Sequence, residues 1–196
     1  MSMPWDGAFA ARQDDRLLAQ VAAGDRDAFR TLMSRHTASM VSLAQRTTGS
    51  IDEADEIVQD AFLKVWTTAP NWRGGGPAKF STWLYRVVLN ASLDYCRRKP
   101  SLPLDQAGDP VDTSADGFDC MAARQRWVLL SRAMASLPDR QHEALSLHYF
   151  SDLSAAKGAE VLGVSLSAFE ALLVRGKRGL RDSLAGMGLT RIEDLL

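Results

Sequence analysis

The run Leu153-Ser154-Ala155-Ala156-Lys157-Gly158-Ala159-Glu160-Val161-Leu162-Gly163-Val164-Ser165 decides the fold of the C-terminal half. Ser154 and Ser165 suit N-cap positions, where a serine hydroxyl accepts a backbone N–H that the first helical turn leaves unpaired. Gly163 suits the left-handed residue that ends a helix, because it has no Cβ to clash there. A short helix, a glycine turn and a second capped helix make a helix-turn-helix. The second helix is expected from about Leu166 to Ser183, with Leu166, Phe169, Leu172, Leu173 and Leu180 packing inward. Ser165, Ser167, Ala168, Glu170, Ala171, Val174 and Arg175 include the positions left facing outward. In this motif the N-terminal residues of the second helix point toward base edges in the major groove. Glu170 can accept from cytosine N4, and Arg175 can bond guanine or a phosphate. Lys177, Arg178 and Arg181 suit backbone phosphates, which add affinity without sequence information. A basic helix alone fits a solvated face equally well; the capped turn in front of it favours DNA. Two residues fit poorly. Gly158 lies inside the short helix at about 1 kcal/mol relative to alanine, and Lys157 stands where the related motif often carries an acid.

Reading outward, Trp127, Leu129, Leu130, Met134 and Leu137 mark a preceding helix closed by Pro138. Pro138-Asp139 then suits the start of another, running through Ala144, Leu145 and Leu147 to Phe150. Upstream, from Lys99 to Asp119, prolines and glycines alternate with aspartates and little can pack a core, so an extended, acidic, flexible linker is expected. The tail from Gly186 to Leu196, with Leu189, Ile192, Leu195 and Leu196, suits a small extra helix.

The segment Asp14 to Arg98 reads as several amphipathic helices. Asp25 and Asp27 precede the apolar series Phe29, Leu32, Met33, which resumes at Met40, Val41, Leu43 and Ala44 before Gly49 and Ser50 break it. From Asp52 a new helix opens with acids crowded into its first turns, where the helix dipole favours them. On a helical wheel Ile57, Val58, Ala61, Phe62 and Val65 share one face, and Asp52, Glu53, Glu56, Gln59 and Asp60 fall mainly on the other. Pro70 and the run Arg73-Gly74-Gly75-Gly76-Pro77 end this helix in a loop. A further helix begins at Ser81 or Thr82 and ends near Arg98. No strand pattern competes. The expected fold is all-α: two small helical domains, 1–98 and 120–196, joined by a flexible linker over 99–119, with the helix-turn-helix in the second.

Composition narrows the function classes. The 196 residues carry a formal net charge of −1, so the chain is no polycation, although Arg97, Arg98 and Lys99 and the Arg175 to Arg181 stretch are locally basic. Cys96 and Cys120 form no C-x-x-C pair, so a disulfide framework or structural zinc is not expected. His36, His142 and His148 have no spacing for a metal or a nucleophile–base pair, and no glycine-rich phosphate loop follows a strand. No catalytic residue, cofactor or metal is expected. Met1 to Arg12 lacks a signal-peptide pattern and no apolar run approaches the ~20 residues of a membrane span, so a cytoplasmic protein without membrane insertion is expected.

The stretches Glu53-Ala54-Asp55-Glu56-Ile57-Val58-Gln59-Asp60-Ala61-Phe62-Leu63-Lys64-Val65-Trp66 and Lys79-Phe80-Ser81-Thr82-Trp83-Leu84-Tyr85-Arg86-Val87-Val88-Leu89-Asn90 resemble the second conserved domain of extracytoplasmic-function (ECF) sigma factors. Leu137-Pro138-Asp139-Arg140-Gln141 and Leu162-Gly163-Val164-Ser165 resemble the fourth. Together they cover most of the chain, in the family's order, with no third domain between them. The resemblance implies a subunit that binds core RNA polymerase and directs it to promoters. The second domain would bind the β′ clamp helices through Asp52, Glu53, Glu56, Gln59 and Asp60, whose charge suits a basic partner. It would also trap a base extruded from the minus-ten element, with stacking and polar contacts offsetting the few kcal/mol of extrusion.

By motif position Lys64, Thr68, Trp72, Val87 and Asn90 would shape that site, together with the loop from Trp72 to Phe80. Trp72 could stack on a base, Asn90 could read an edge, and Arg73, Lys79 and Arg86 could hold phosphates. Trp66 and Trp83 read as core, whereas Trp72 fits core and DNA-facing roles equally. The run Gly74-Gly75-Gly76-Pro77 departs from the family pattern, which leaves the base preference open. The fourth domain would bind the minus-thirty-five element and the polymerase β flap, with Glu170, Ala171, Val174 and Arg175 at contacting positions. The acidic linker would thread the RNA exit path, and an anti-sigma factor would hold the protein inactive. Two other classes compete: a stand-alone helix-turn-helix regulator, which leaves the Asp52 to Asn90 constellation without a role, and an interaction protein that mimics a sigma factor.

Overall fold

The computed structural model describes residues 6–73, 79–98, 127–151 and 153–188. The expected acidic linker, the glycine run at 74–77, Cys120 and the tail beyond 188 lie outside these residues. All regular structure among the described residues is helical. In order these are α1 (Asp6–Ala22), α2 (Arg26–Thr48), α3 (Ile51–Thr68) with a 3₁₀ turn at Ala69–Asn71, α4 (Phe80–Arg98), α5 (127–135), α6 (Asp139–Phe150), α7 (Ala155–Leu162) and α8 (Leu166–Gly186).

The caps explain where the N-terminal helices begin. Asp25 starts α2 by accepting from the backbone N–H groups of Asp27 and Ala28 at 2.8 and 3.0 Å. Ser50 starts α3 by accepting from Glu53 N–H, one residue earlier than the acidic run alone suggests. Pro70 then breaks the ladder and the chain tightens into the 3₁₀ turn. Helices α1 to α4 enclose one apolar centre in which Leu18, Leu32, Met40, Leu43, Phe62, Leu84 and Leu89 are essentially inaccessible. The buried Asp14 ties α1 to α2 by accepting from Arg35 and meeting His36 Nε2 at 3.0 Å.

In the C-terminal half the turn chemistry matches the sequence. Ser154 Oγ accepts from Lys157 N–H, Gly163 is left-handed at φ 67°, and Ser165 Oγ accepts from Ala168 N–H. Gly158 turns out to be a packing requirement, not a flaw. A Cβ there would come within 2.6 Å of Phe169 Cζ, so only glycine lets α7 lie this close to α8. Phe169, Leu173 and Leu180 are buried as expected, and Leu172 is half-buried. Leu166 is not: it stands 45 % exposed at the first turn of α8. Trp66 also departs from the core reading. It lies at the rim of α3, 36 % exposed, with its ring packed edge-on against Phe29. Trp83 is half-buried against Phe80 and Trp72.

The two halves touch. Helix α2 packs on α6 and α4 on α7, and the buried apolar residues form one continuous cluster. No helix among the described residues is long and apolar enough to cross a membrane.

Candidate functional site

Three outward surfaces carry the candidate residues. The first is α3. Its buried stripe is Ala54, Ile57, Val58, Ala61, Phe62 and Val65, which turns Asp52, Glu56, Gln59 and Asp60 to solvent, with Glu53 half-buried. No ion pair among the described residues engages Asp52, Glu56 or Asp60. Ile51 and Leu63 join this face at 47 % and 63 % exposure. Sequence reasoning passed over both, although on the wheel Leu63 falls off the buried stripe. The face therefore offers carboxylates beside bare apolar side chains, which suits a partner surface that is basic and partly apolar.

The second set lies, in sequence, on either side of residues 74–78. Lys64, Arg73, Lys79, Arg86 and Asn90 are exposed; Thr68 and Val87 are half-buried. Four of these seven candidates carry positive charge, which suits a phosphate backbone. Trp72 is engaged within the fold. Its indole N–H donates to Asp15 Oδ1 at 3.1 Å, and its ring packs edge-on against Phe80 and Trp83.

The third surface is the outward stripe of α8. Ser165, Ser167, Glu170, Ala171, Val174, Arg175, Lys177 and Arg178 are all exposed, and Ala168 is half-buried. Val174 reaches 69 % exposure, an apolar tip among polar neighbours. Arg175 Nε donates to the Ala171 carbonyl one turn back, and Lys177 Nζ lies 5.4 Å from the centre of the Tyr149 ring on α6.

A fourth group, not foreseen in the sequence, lies between the halves. Thr82, the third residue of α4, is only 5 % exposed. It donates to Glu160 Oε1 at 2.8 Å and accepts from Lys157 Nζ at 2.9 Å, while Lys157 also reaches Glu160 Oε2 at 3.1 Å. Burial alone would raise the Glu160 carboxyl, but the hydrogen bonds from Thr82 and Lys157 outweigh it and hold it below the usual carboxylate range. The Arg86 guanidinium lies against the Gly163 turn, and Arg97 stands 3.6 Å from Asp139. Further along, Thr47 and Cys96 face Trp127, Met134 and His142 across a narrow crevice. Burial, with Arg97 nearby, lowers His142 to about 4, so its ring is neutral at physiological pH. No cluster of metal-ligating side chains is present among the described residues.

A helix-turn-helix whose second helix turns polar and basic side chains outward is the mark of a DNA-binding protein. Comparison with known proteins sharpens this. Residues 32–101 match the model for sigma-70 region 2, and residues 121–180 match that for sigma-70 region 4. The chain is 33 % identical over 172 residues to the ECF RNA polymerase sigma factor SigM of Mycobacterium tuberculosis, covering 86 % of this chain and 83 % of SigM. It is 29 % identical over 178 residues to SigW of Bacillus subtilis, covering 85 % and 94 %. Among solved structures it resembles CnrH in complex with the cytosolic domain of CnrY, with a TM-score of 0.63, 25 % identity, and coverage of 89 % of this chain and 98 % of that one. It also shares its fold with the sigma factor RpoE of Bartonella quintana, solved with the anti-sigma factor NepR, at a TM-score of 0.52 and 18 % identity over 80 % of this chain and 96 % of that one. The chain belongs to the family of ECF RNA polymerase sigma factors.

Proposed function

We propose that this sigma factor divides its work between its halves, 1–98 gripping polymerase and melting the minus-ten element, 120–196 seating on the minus-thirty-five element. The observation that carries this reading is the opposite charge of two outward helical faces. The acidic stripe of α3, with Leu63 and Ile51 beside it, is the polymerase contact, directed at the β′ clamp helices. Lys64, Thr68, Arg73, Lys79, Arg86, Val87 and Asn90 serve the minus-ten strand, the cations neutralising phosphates and Asn90 reading a base edge. Trp72 is assigned to tying α1 to α4 beside this strand, because its ring is already packed and its N–H already donated.

On α8, Ser167, Ala168, Glu170, Ala171 and Val174 face the bases, the apolar tip of Val174 suiting a thymine methyl, while Ser165, Arg175, Lys177 and Arg178 hold the backbone. The fourth domain also meets the polymerase β flap. An anti-sigma factor restrains the protein, by analogy of fold with RpoE bound to the anti-sigma factor NepR. The protein works in the cytoplasm, where polymerase is, and has no catalytic role of its own.

Reconstituted transcription with core polymerase on a genomic promoter library tests the whole reading. Expected are discrete start sites sharing two upstream elements. Tight binding to duplex DNA with no polymerase-dependent transcripts would instead favour a stand-alone regulator, and the absence of both would favour a sigma mimic.

A further inference from the structure

We infer that Glu170 and Val174 make the upstream reader selective for a cytosine and a thymine at most two positions apart. The carboxylate takes the cytosine N4 amino group, and the valine tip covers the thymine C5 methyl. The inference rests on the sigma-factor reading and deepens it by naming two bases of the minus-thirty-five element.

Helix α8 carries a charge pattern that phosphate binding alone does not explain. Between Leu166 and Arg181 its charged residues are Glu170, Arg175, Lys177, Arg178 and Arg181, so Glu170 is the one acid on a basic stretch. The helical neighbours that ordinarily neutralise a carboxylate stand three and four residues away. For Glu170 these are Leu166, Ser167, Leu173 and Val174, none of them charged. Among the described residues no ion pair engages it, although its side chain is exposed. The next two cations along the chain are occupied elsewhere, Arg175 on the Ala171 carbonyl and Lys177 beside the Tyr149 ring. A bare carboxylate is repelled by phosphates, so what holds it against DNA is a donor on a base edge.

The major groove offers two such donors, cytosine N4 and adenine N6. Adenine sets its N7 acceptor beside the amino group, and an ionised carboxylate, which can only accept, meets N7 lone pair to lone pair. Cytosine has no acceptor on that edge, so the carboxylate favours cytosine. Thymine adds the one methyl group in the groove. Val174 is its counterpart on α8, an apolar tip 69 % exposed. Ala171, three residues earlier and also exposed, widens the apolar patch without bulk that would hold the helix away. Glu170 and Val174 are four residues apart on one face, about 5–6 Å between Cβ atoms. Bases along a strand lie about 3.4 Å apart, so the two side chains span no more than two steps. Both belong to the N-terminal half of the helix, behind the Ser165 cap, which is the part that meets base edges.

The test uses the full chain with core polymerase on a promoter library randomised across the upstream element. Transcribed sequences are expected to be enriched in a cytosine and a thymine within two positions of each other. Glu170→Gln turns the acceptor into an amide that pairs with adenine N6 and N7 together, so the selected cytosine should change to adenine, by about tenfold. Val174→Ala should relax the choice of thymine and leave the cytosine selected. On the promoter the wild type prefers, deoxyuridine in place of that thymine removes the methyl alone. Wild-type transcription should then fall about fourfold, while Val174→Ala should treat the two templates alike. Both side chains are exposed, so the buried stripe of α8 stays intact, and the deoxyuridine comparison needs no variant at all. Discrete transcripts whose upstream element lacks this pair of bases overturn the inference and leave the sigma-factor reading in place. So does equal wild-type transcription from thymine and deoxyuridine templates, or a cytosine unmoved by Glu170→Gln. No transcript from any sequence overturns the sigma-factor reading, and the inference with it.

Discussion

Helices α3 and α8 are entered through the same device, a serine hydroxyl (Ser50, Ser165) accepting a backbone N–H three residues on. Each then buries one stripe around a phenylalanine, Phe62 at 2 % exposure and Phe169 at 1 %, a burial of about 2 kcal/mol apiece. On the opposite side the two part company: Asp52, Glu56, Gln59 and Asp60 on α3, against Arg175, Lys177 and Arg178 on α8. The stripe that seats a helix in its fold and the stripe that selects its partner occupy different sectors of the wheel. Chemistry on one can change without disturbing the other.

The hardest blow to that comparison is charge reversal on α3. Asp52→Lys, Glu56→Lys and Asp60→Lys together should weaken association with core polymerase roughly a hundredfold while leaving the melting temperature near that of the wild type. Unchanged affinity in a titration would remove α3 from the polymerase contact. Next comes the basic counterpart. Arg175→Ala with Lys177→Ala should lower promoter-directed transcription about tenfold and flatten its salt dependence by about two phosphate equivalents. Core affinity, measured in parallel, should not move; if it falls equally, the two faces do not have separate partners. The smallest effect sharpens the shared plan. Ser50→Ala and Ser165→Ala should each destabilise the protein by about 1 kcal/mol in urea unfolding. A strong inequality between them would show that the caps are not equivalent.

Much of this was legible because it depends on local chemistry. Ser154, Gly163 and Ser165 declare the helix-turn-helix by backbone needs that hold in any context, and the alternation of Ile57, Val58, Ala61 and Phe62 with acids needs only the helical period. What escaped the sequence depends on neighbours far along the chain. Gly158 looked like a weakness until Phe169 was seen to lie where its Cβ would be. Leu166 looked like core, yet it stands exposed at the first turn of α8. Trp72 was ambiguous because its partners, Asp15, Phe80 and Trp83, come from two other helices. Thr82 and Glu160 are separated by 78 residues, and no periodicity announces such a pair.

Cys96 turns the crevice between the halves into an instrument. Burial pushes its thiol up to about 11, so only about one molecule in ten thousand carries a thiolate near neutral pH. Its sulfur donates to the Thr47 carbonyl and, half-buried, lines the crevice with Trp127 and His142. Alkylation near neutral pH is therefore slow for want of thiolate, and in a Cys120→Ser chain its rate reports on the surroundings of this one sulfur.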